Sequence, residues 1–207
     1  MQPNKTKIAL VIGALYLGAS GASYAASLAP TVKMTTRDDV TLSQVTALAF
    51  GPNIFTTAGT SCLMDADTPG DIIAQANGTA EKANFGELSG TGCVTGASGT
   101  PGVYKVSGSP GAGITVTVSG LNTDPLFTFT PNNGCIVEYD QVSEGDTCKA
   151  LASATATTTI IAGTTDGGDD EVTSGELIMS IGGTLSVVSA LTADTPYTDQ
   201  FKINVVY

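Results

Sequence analysis

The sequence predicts an all-β fold, an immunoglobulin-like antiparallel β-sandwich of about ten short strands with elaborated loops. Three observations predict it. Short runs of alternating apolar and polar residues recur between Gly, Pro, Asn and Asp turns. Thr, Val, Ile, Gly and Ser dominate the chain beyond residue 25, a composition that suits pleated, half-buried surfaces. No window carries the apolar spacing and caps of a real helix; the nearest, residues 71–76, is about one turn.

The strands can be taken in order. Residues 40–50 and 103–107 are strand candidates. Residues 113–120 alternate Ile114, Val116 and Val118 with Thr115, Thr117 and Ser119. Asn133-Gly134 separates Phe127-Thr128-Phe129 from Cys135-Ile136-Val137 and reads as a hairpin turn. Residues 151–161 follow. In residues 176–188, Leu177, Met179 and Ile181 alternate, Gly182-Gly183 interrupts as a bulge or hairpin turn, and Leu185 and Val187 resume. Residues 200–207 place Phe201, Ile203, Val205 and Tyr207 on one face. Residues 65–80, 90–102 and 162–174 read as long loops or insertions.

The chain has 207 residues, 42% hydrophobic and 13% charged, with a net charge of -11. That length supports one domain with a true core, and the apolar fraction excludes intrinsic disorder. There is no His. This removes Ser-His-Asp and Cys-His catalysis and His-ligated zinc. The acidic balance offers no footprint for nucleic acid.

Residues 1–25 read as a secretory signal. Lys5 and Lys7 precede an apolar run, residues 8–17, too short to span a bilayer well, and small residues lead to Ala25. Cleavage after Ala25 leaves no stretch apolar enough for membrane insertion. Residues 26–37 form an N-terminal extension, and residues 38–207 a single sandwich domain.

Export agrees with cysteine usage. Cys62, Cys93, Cys135 and Cys148 all follow the signal. Pairing Cys62–Cys93 and Cys135–Cys148 closes the two shortest loops that do not interleave, although four Cys allow three connectivities. A four-thiolate metal site would show two close Cys-x-x-Cys pairs, which the sequence lacks.

Three segments carry a family resemblance. They are Ala47-Leu48-Ala49-Phe50-Gly51, residues 101–116 (PGVYKVSGSPGAGITV), and Ile181-Gly182-Gly183-Thr184-Leu185-Ser186-Val187 followed by residues 195–207 (TPYTDQFKINVVY). In this order, over residues 38–207, they resemble the bacterial exported domain-of-unknown-function family numbered 4402. The closing unit is the most specific part. It is also similar to the C-terminal strands of spore-coat-U-like and archaic chaperone–usher pilin subunits, sandwiches that lack a strand and accept one from a neighbour. The resemblance implies a secreted or surface β-sandwich with a structural or adhesive role and no catalytic residues. The four Cys and the three long loops depart from the family pattern.

The candidate sites follow. Residues 26–36 alternate, with Leu28, Val32 and Met34 on one side, as a strand donated to a neighbouring sheet edge would. The plainer alternative is an ordinary first strand of the same domain. Asp166, Asp169, Asp170 and Glu171 could wrap Ca²⁺, and Asp65-x-Asp67-x-x-Gly70-Asp71 resembles the start of an EF-hand loop. Solvated acidic loops are the plainer reading of both. Paired carboxylates suit glycoside hydrolysis, but Trp is absent and sugar platforms are weak. The sequence thus predicts a non-catalytic secreted or cell-surface structural protein without cofactor, fimbria-like or surface-layer in kind, with self-association or a periplasmic chaperone as partner. A monomeric adhesin or ligand-binding module, with or without calcium dependence, is the alternative.

Overall fold

The apolar run around Met179 organises the architecture. In the computed structural model, which describes residues 39–67, 72, 85–138, 147–163 and 174–207, ten strands appear. They are β1 (Thr41–Thr46), β2 (Ser61–Met64), β3 (Leu88–Gly90), β4 (Gly102–Ser107), β5 (Gly113–Gly120), β6 (Phe127–Glu138), β7 (Thr147–Ala150), β8 (Thr157–Ile160), β9 (Glu176–Val187) and β10 (Phe201–Val206). All pairings between them are antiparallel. The described residues belong to one compact unit that spans residues 37–207.

The large sheet has seven strands around β9. One edge of β9 pairs first with β4, from Glu176 to Ile181, and then with β2, from Gly183 to Ser186. Its other edge pairs with β6 along most of its length. Outside these lie β1 against β4, β3 against β2, and β7 against β6. The small sheet is β10-β5-β8.

The main core fills the space between the sheets. From the large sheet come Tyr104 and Val106 on β4, Ile136 on β6, and Leu177, Met179 and Ile181 on β9. From the small sheet come Ile114, Val116 and Val118, with Phe201, Ile203 and Val205 packed beside them. These are the inward phases of period-two patterns, so the alternation in residues 113–120 and 200–207 is borne out.

The back of the large sheet is buried too. Val103, Cys135, Val137 and Ile178 point away from the main core and pack with Ala66, Ile72, Phe85 and Ala162. Ala66, Ile72 and Phe85 therefore cover the outer face. The cover is anchored where Asn133 Oδ1 accepts from the Ala66 amide at 2.7 Å and where the buried Ser180 hydroxyl donates to the Ala66 carbonyl. Burial on both faces explains why β9 has no polar phase through its first half.

One turn reading is corrected, and of the two readings of Gly182-Gly183 the bulge holds. Asn133-Gly134 is not a hairpin, and neither is Gly182-Gly183: β6 and β9 each run unbroken past them. The extra residue lies in β6, where the register jumps between Thr130 and Asn133 opposite Gly183. Pro131, with no N–H to give, fits such a bulge. Gly183 has φ +142, and a Cβ there would strike the Thr130 carbonyl. Gly183 is thus required by the bulge rather than by a turn.

Other boundaries shift. The strand expected over residues 40–50 ends at Thr46, and the one over 151–161 is ordered as strand only from Thr157. Residues 151–156 instead cross between sheets, with Leu151 buried in the main core. Of residues 71–76, the window nearest to a helix in the sequence, only Ile72 is described, in helical conformation; the rest lies outside the described residues.

Both expected disulfides form. Cys62–Cys93 has Cα atoms 5.4 Å apart and ties β2 to the loop after β3; Cys135–Cys148 has them 5.2 Å apart and ties β6 to β7. Their separations, 31 and 13 residues, correspond to roughly 3 kcal/mol each on the loop-entropy model.

The core assignment predicts a contrast in urea denaturation. Met179→Ala, at a site with no exposure, is expected to lower stability by about 2–5 kcal/mol. Ile160→Ala, on the outer face of β8 and 63% exposed, is expected to change it by less than about 0.5 kcal/mol.

Candidate functional site

The two sheets differ in width, and the difference makes a groove. On one side of the sandwich the small sheet ends at β10, which pairs only with β5 among the described strands. The large sheet continues past it, through β4 to β1. Leu42 and Gln44 lie directly across from Val106 and Tyr104, so they share the inward face. Yet Leu42 remains 40% exposed where Val106 is fully buried, because no described strand of the small sheet lies opposite β1. The other side is closed, with Leu151 inserted in the core and the Ala162 amide donating to the Glu176 carbonyl at 3.0 Å.

The resulting groove has a volume of about 1220 Å³. Its floor is apolar and aromatic: Phe50, Tyr104, Phe127, Phe129, Tyr197 and Phe201 line it, half of the chain's six Phe and six Tyr. Four of these rings run edge to face, from Phe50 to Phe129 (6.0 Å), to Phe201 (5.6 Å), to Tyr104 (5.9 Å). Gly102 allows this placement, since a Cβ there would come within 2.8 Å of the Tyr104 hydroxyl. Burial pushes the Tyr104 phenol up from its ordinary pKa, so it stays protonated.

One wall is a strap, residues 188–200, that carries the chain from β9 to β10. Its attachments are specific. The Leu191 amide donates to the Thr56 carbonyl at 2.9 Å. The Thr192 amide donates to the Tyr197 hydroxyl at 2.8 Å, and the Tyr197 ring meets Phe127 at 6.2 Å. Asp199 joins the strap to the β5–β6 loop: its Oδ1 accepts from the Thr123 hydroxyl (2.6 Å), the Gln200 amide (2.8 Å) and the Thr123 amide (3.1 Å). Its Oδ2 is buried without a hydrogen-bond partner. Partial burial pushes the carboxyl up, but those three donors outweigh it and hold it below the usual carboxylate range.

Among the described residues, the only charged groups lining the groove are Asp194 and Asp199. An open sheet edge above an apolar floor can bind an extended chain, through main-chain hydrogen bonds and through pockets for alternate side chains.

The sites expected from sequence distribute unevenly over the structure. Leu28, Val32 and Met34 lie outside the described residues, as do Asp166, Asp169, Asp170 and Glu171. Asp65 and Asp67 are described and adjacent, with the Asp67 amide donating to Asp65 Oδ1 at 3.3 Å. Burial, and next the hydrogen bond and charge of Asp65, raise the Asp67 carboxyl above its usual range. Among the described residues no three Cys, Asp or Glu side chains gather as a metal site. The groove residues were not anticipated as a site. Leu42 and Gln44 belong to a predicted strand, but only the pairing of sheets shows that nothing faces them.

Compared with known proteins, the chain matches no family model, no curated protein and no solved structure.

The Asp199 attachment has a pH signature. Its folded pKa is depressed, so its stabilisation is complete above the unfolded carboxylate pKa and is lost as pH falls through the folded value. The difference in melting temperature between the native protein and Asp199→Asn is therefore expected to be constant near neutrality and to shrink toward zero in acid.

Proposed function

We propose that the protein is a non-catalytic structural subunit of a secreted or cell-surface assembly, fimbria-like or surface-layer in kind, whose copies join by strand addition at the β1/β10 groove. The observation that carries this reading is the mismatch in sheet width. Among the described strands β10 pairs on one edge only, and the inward side chains of β1 lie half-exposed beside it. Unpaired edges next to exposed apolar surface are a liability for a secreted monomer and an asset for an assembling subunit.

The candidate strand is residues 26–36, whose Leu28, Val32 and Met34 alternate as a groove-filling strand requires. A periplasmic chaperone would serve to cover the groove before assembly. Two features support export. The two disulfides suit an oxidising compartment. Residues 1–25 have the charge and apolar pattern of a signal segment. Among the described residues no helix is long and apolar enough to cross a membrane.

The test is oligomeric state by light scattering, using the chain from Ala26 to Tyr207. Association is expected, and removal of residues 26–36 is expected to abolish it. Leu42→Asp, which puts a charge at the half-exposed groove rim, should also block association while shifting the chain's own stability by less than about 1 kcal/mol. A chain that is monomeric at every concentration would refute the reading.

A further inference from the structure

The groove has a charge as well as a shape. Among the described residues its lining includes two acids, Asp194 and Asp199, and no Lys or Arg. Both acids lie on the strap, and Asp199 stands two residues before Phe201, where β10 begins. Asp199 is the more telling, because its Oδ2 is buried with nothing to pair with, while Oδ1 takes all three available donors. A buried carboxylate oxygen left unsatisfied is costly, and a donor brought by an occupant would remove that cost.

The chain contains one segment of complementary character. Residues 26–37 carry Lys33 and Arg37 and no acid, in a protein whose net charge is -11. Beyond residue 25 the only other basic residues are Lys82, Lys105, Lys149 and Lys202. Lys105 is already committed, with its Nζ 2.8 Å from Glu176.

We propose that the acidic strap of the groove selects a basic strand: residues 26–37 of a second copy enter with Lys33 and Arg37 at the strap, beside Asp194 and Asp199. This inference rests on the assembly reading above and adds to it a partner chemistry and a direction. A strand antiparallel to β10, the more stable pairing, runs toward the end where β10 begins and so delivers its C-terminal, basic half to the strap. Val32 and Met34 then face the aromatic floor, and Lys33, on the opposite phase, meets the acidic wall. Complementary charge of this kind sets register and discriminates between partners more than it adds affinity.

The experiment measures self-association of the chain from Ala26 to Tyr207 at low and high salt, beside Lys33→Glu, Asp199→Asn and the double variant. Lys33→Glu is expected to weaken association severalfold and to flatten its salt dependence. Asp199→Asn keeps an oxygen acceptor for Thr123 and removes the charge. It should weaken association in the same sense, and the double variant should lose less than the sum of the two singles, which is the mark of coupling. Should Asp199→Asn fold poorly, Lys33→Glu and the salt series still decide. If removing residues 26–36 abolishes association while Lys33→Glu associates like the native chain at both salts, the charge selection is wrong and strand addition stands. If that removal has no effect, strand addition itself is wrong.

Discussion

A seven-stranded sheet cannot be covered on one face by a three-stranded one, and this mismatch in width governs the rest of the molecule. Where the two sheets overlap, their inward phases meet and exclude water, as at Val116, Met179 and Ile181. Where they do not, the inward phase of β1 is left with Leu42 and Gln44 at the surface. On the β7/β8 side the chain closes the gap with Leu151. On the β1/β10 side the described residues provide no such closure, and the uncovered strip becomes a groove with a β-edge along it.

The large sheet tolerates its width because it is buried twice. β9 contributes Leu177, Met179 and Ile181 to the core between sheets and Ile178 to the core behind it. The two layers are joined by hydrogen bonds as well as by packing, since Ser180 and Asn133 both hold Ala66 of the outer cover. Rigid support behind β9 and β4 keeps Tyr104 in place as the groove floor, so the groove is shaped by the centre of the fold rather than by its loops.

Much of this was legible in the chain. Period-two alternation located β5 to the residue and β10 to within one residue at either end, and loop arithmetic selected both disulfides. Turn chemistry misled at Asn133-Gly134 and left Gly182-Gly183 open between bulge and turn, for one physical reason. Asn133-Gly134 and Gly182-Gly183 have hairpin composition, but their glycines serve close approach of backbones: a Cβ on Gly134 would come within 2.7 Å of the Ser180 carbonyl oxygen. A glycine required by a neighbouring strand is indistinguishable, in one sequence, from a glycine required by a turn. The double burial of β9 was also hidden, because alternation at Leu177, Met179 and Ile181 looks the same whether or not Ile178 is covered. The groove was hidden most deeply. It arises from which strands lack an opposite, and that is a property of topology. The strap residue Asp199 gave no local signal, because its partner Thr123 is distant in sequence.

The chain has no His, and half of its Phe and Tyr residues line one groove. The central claim is that the free edge of β10 is completed by a strand from another copy. Hydrogen exchange at the β10 amides not bonded to β5 tests it most directly. The account predicts strong protection of those amides in the associated chain, lost when residues 26–36 are removed, with the amides bonded to β5 unchanged. Equal exchange in both forms would contradict it.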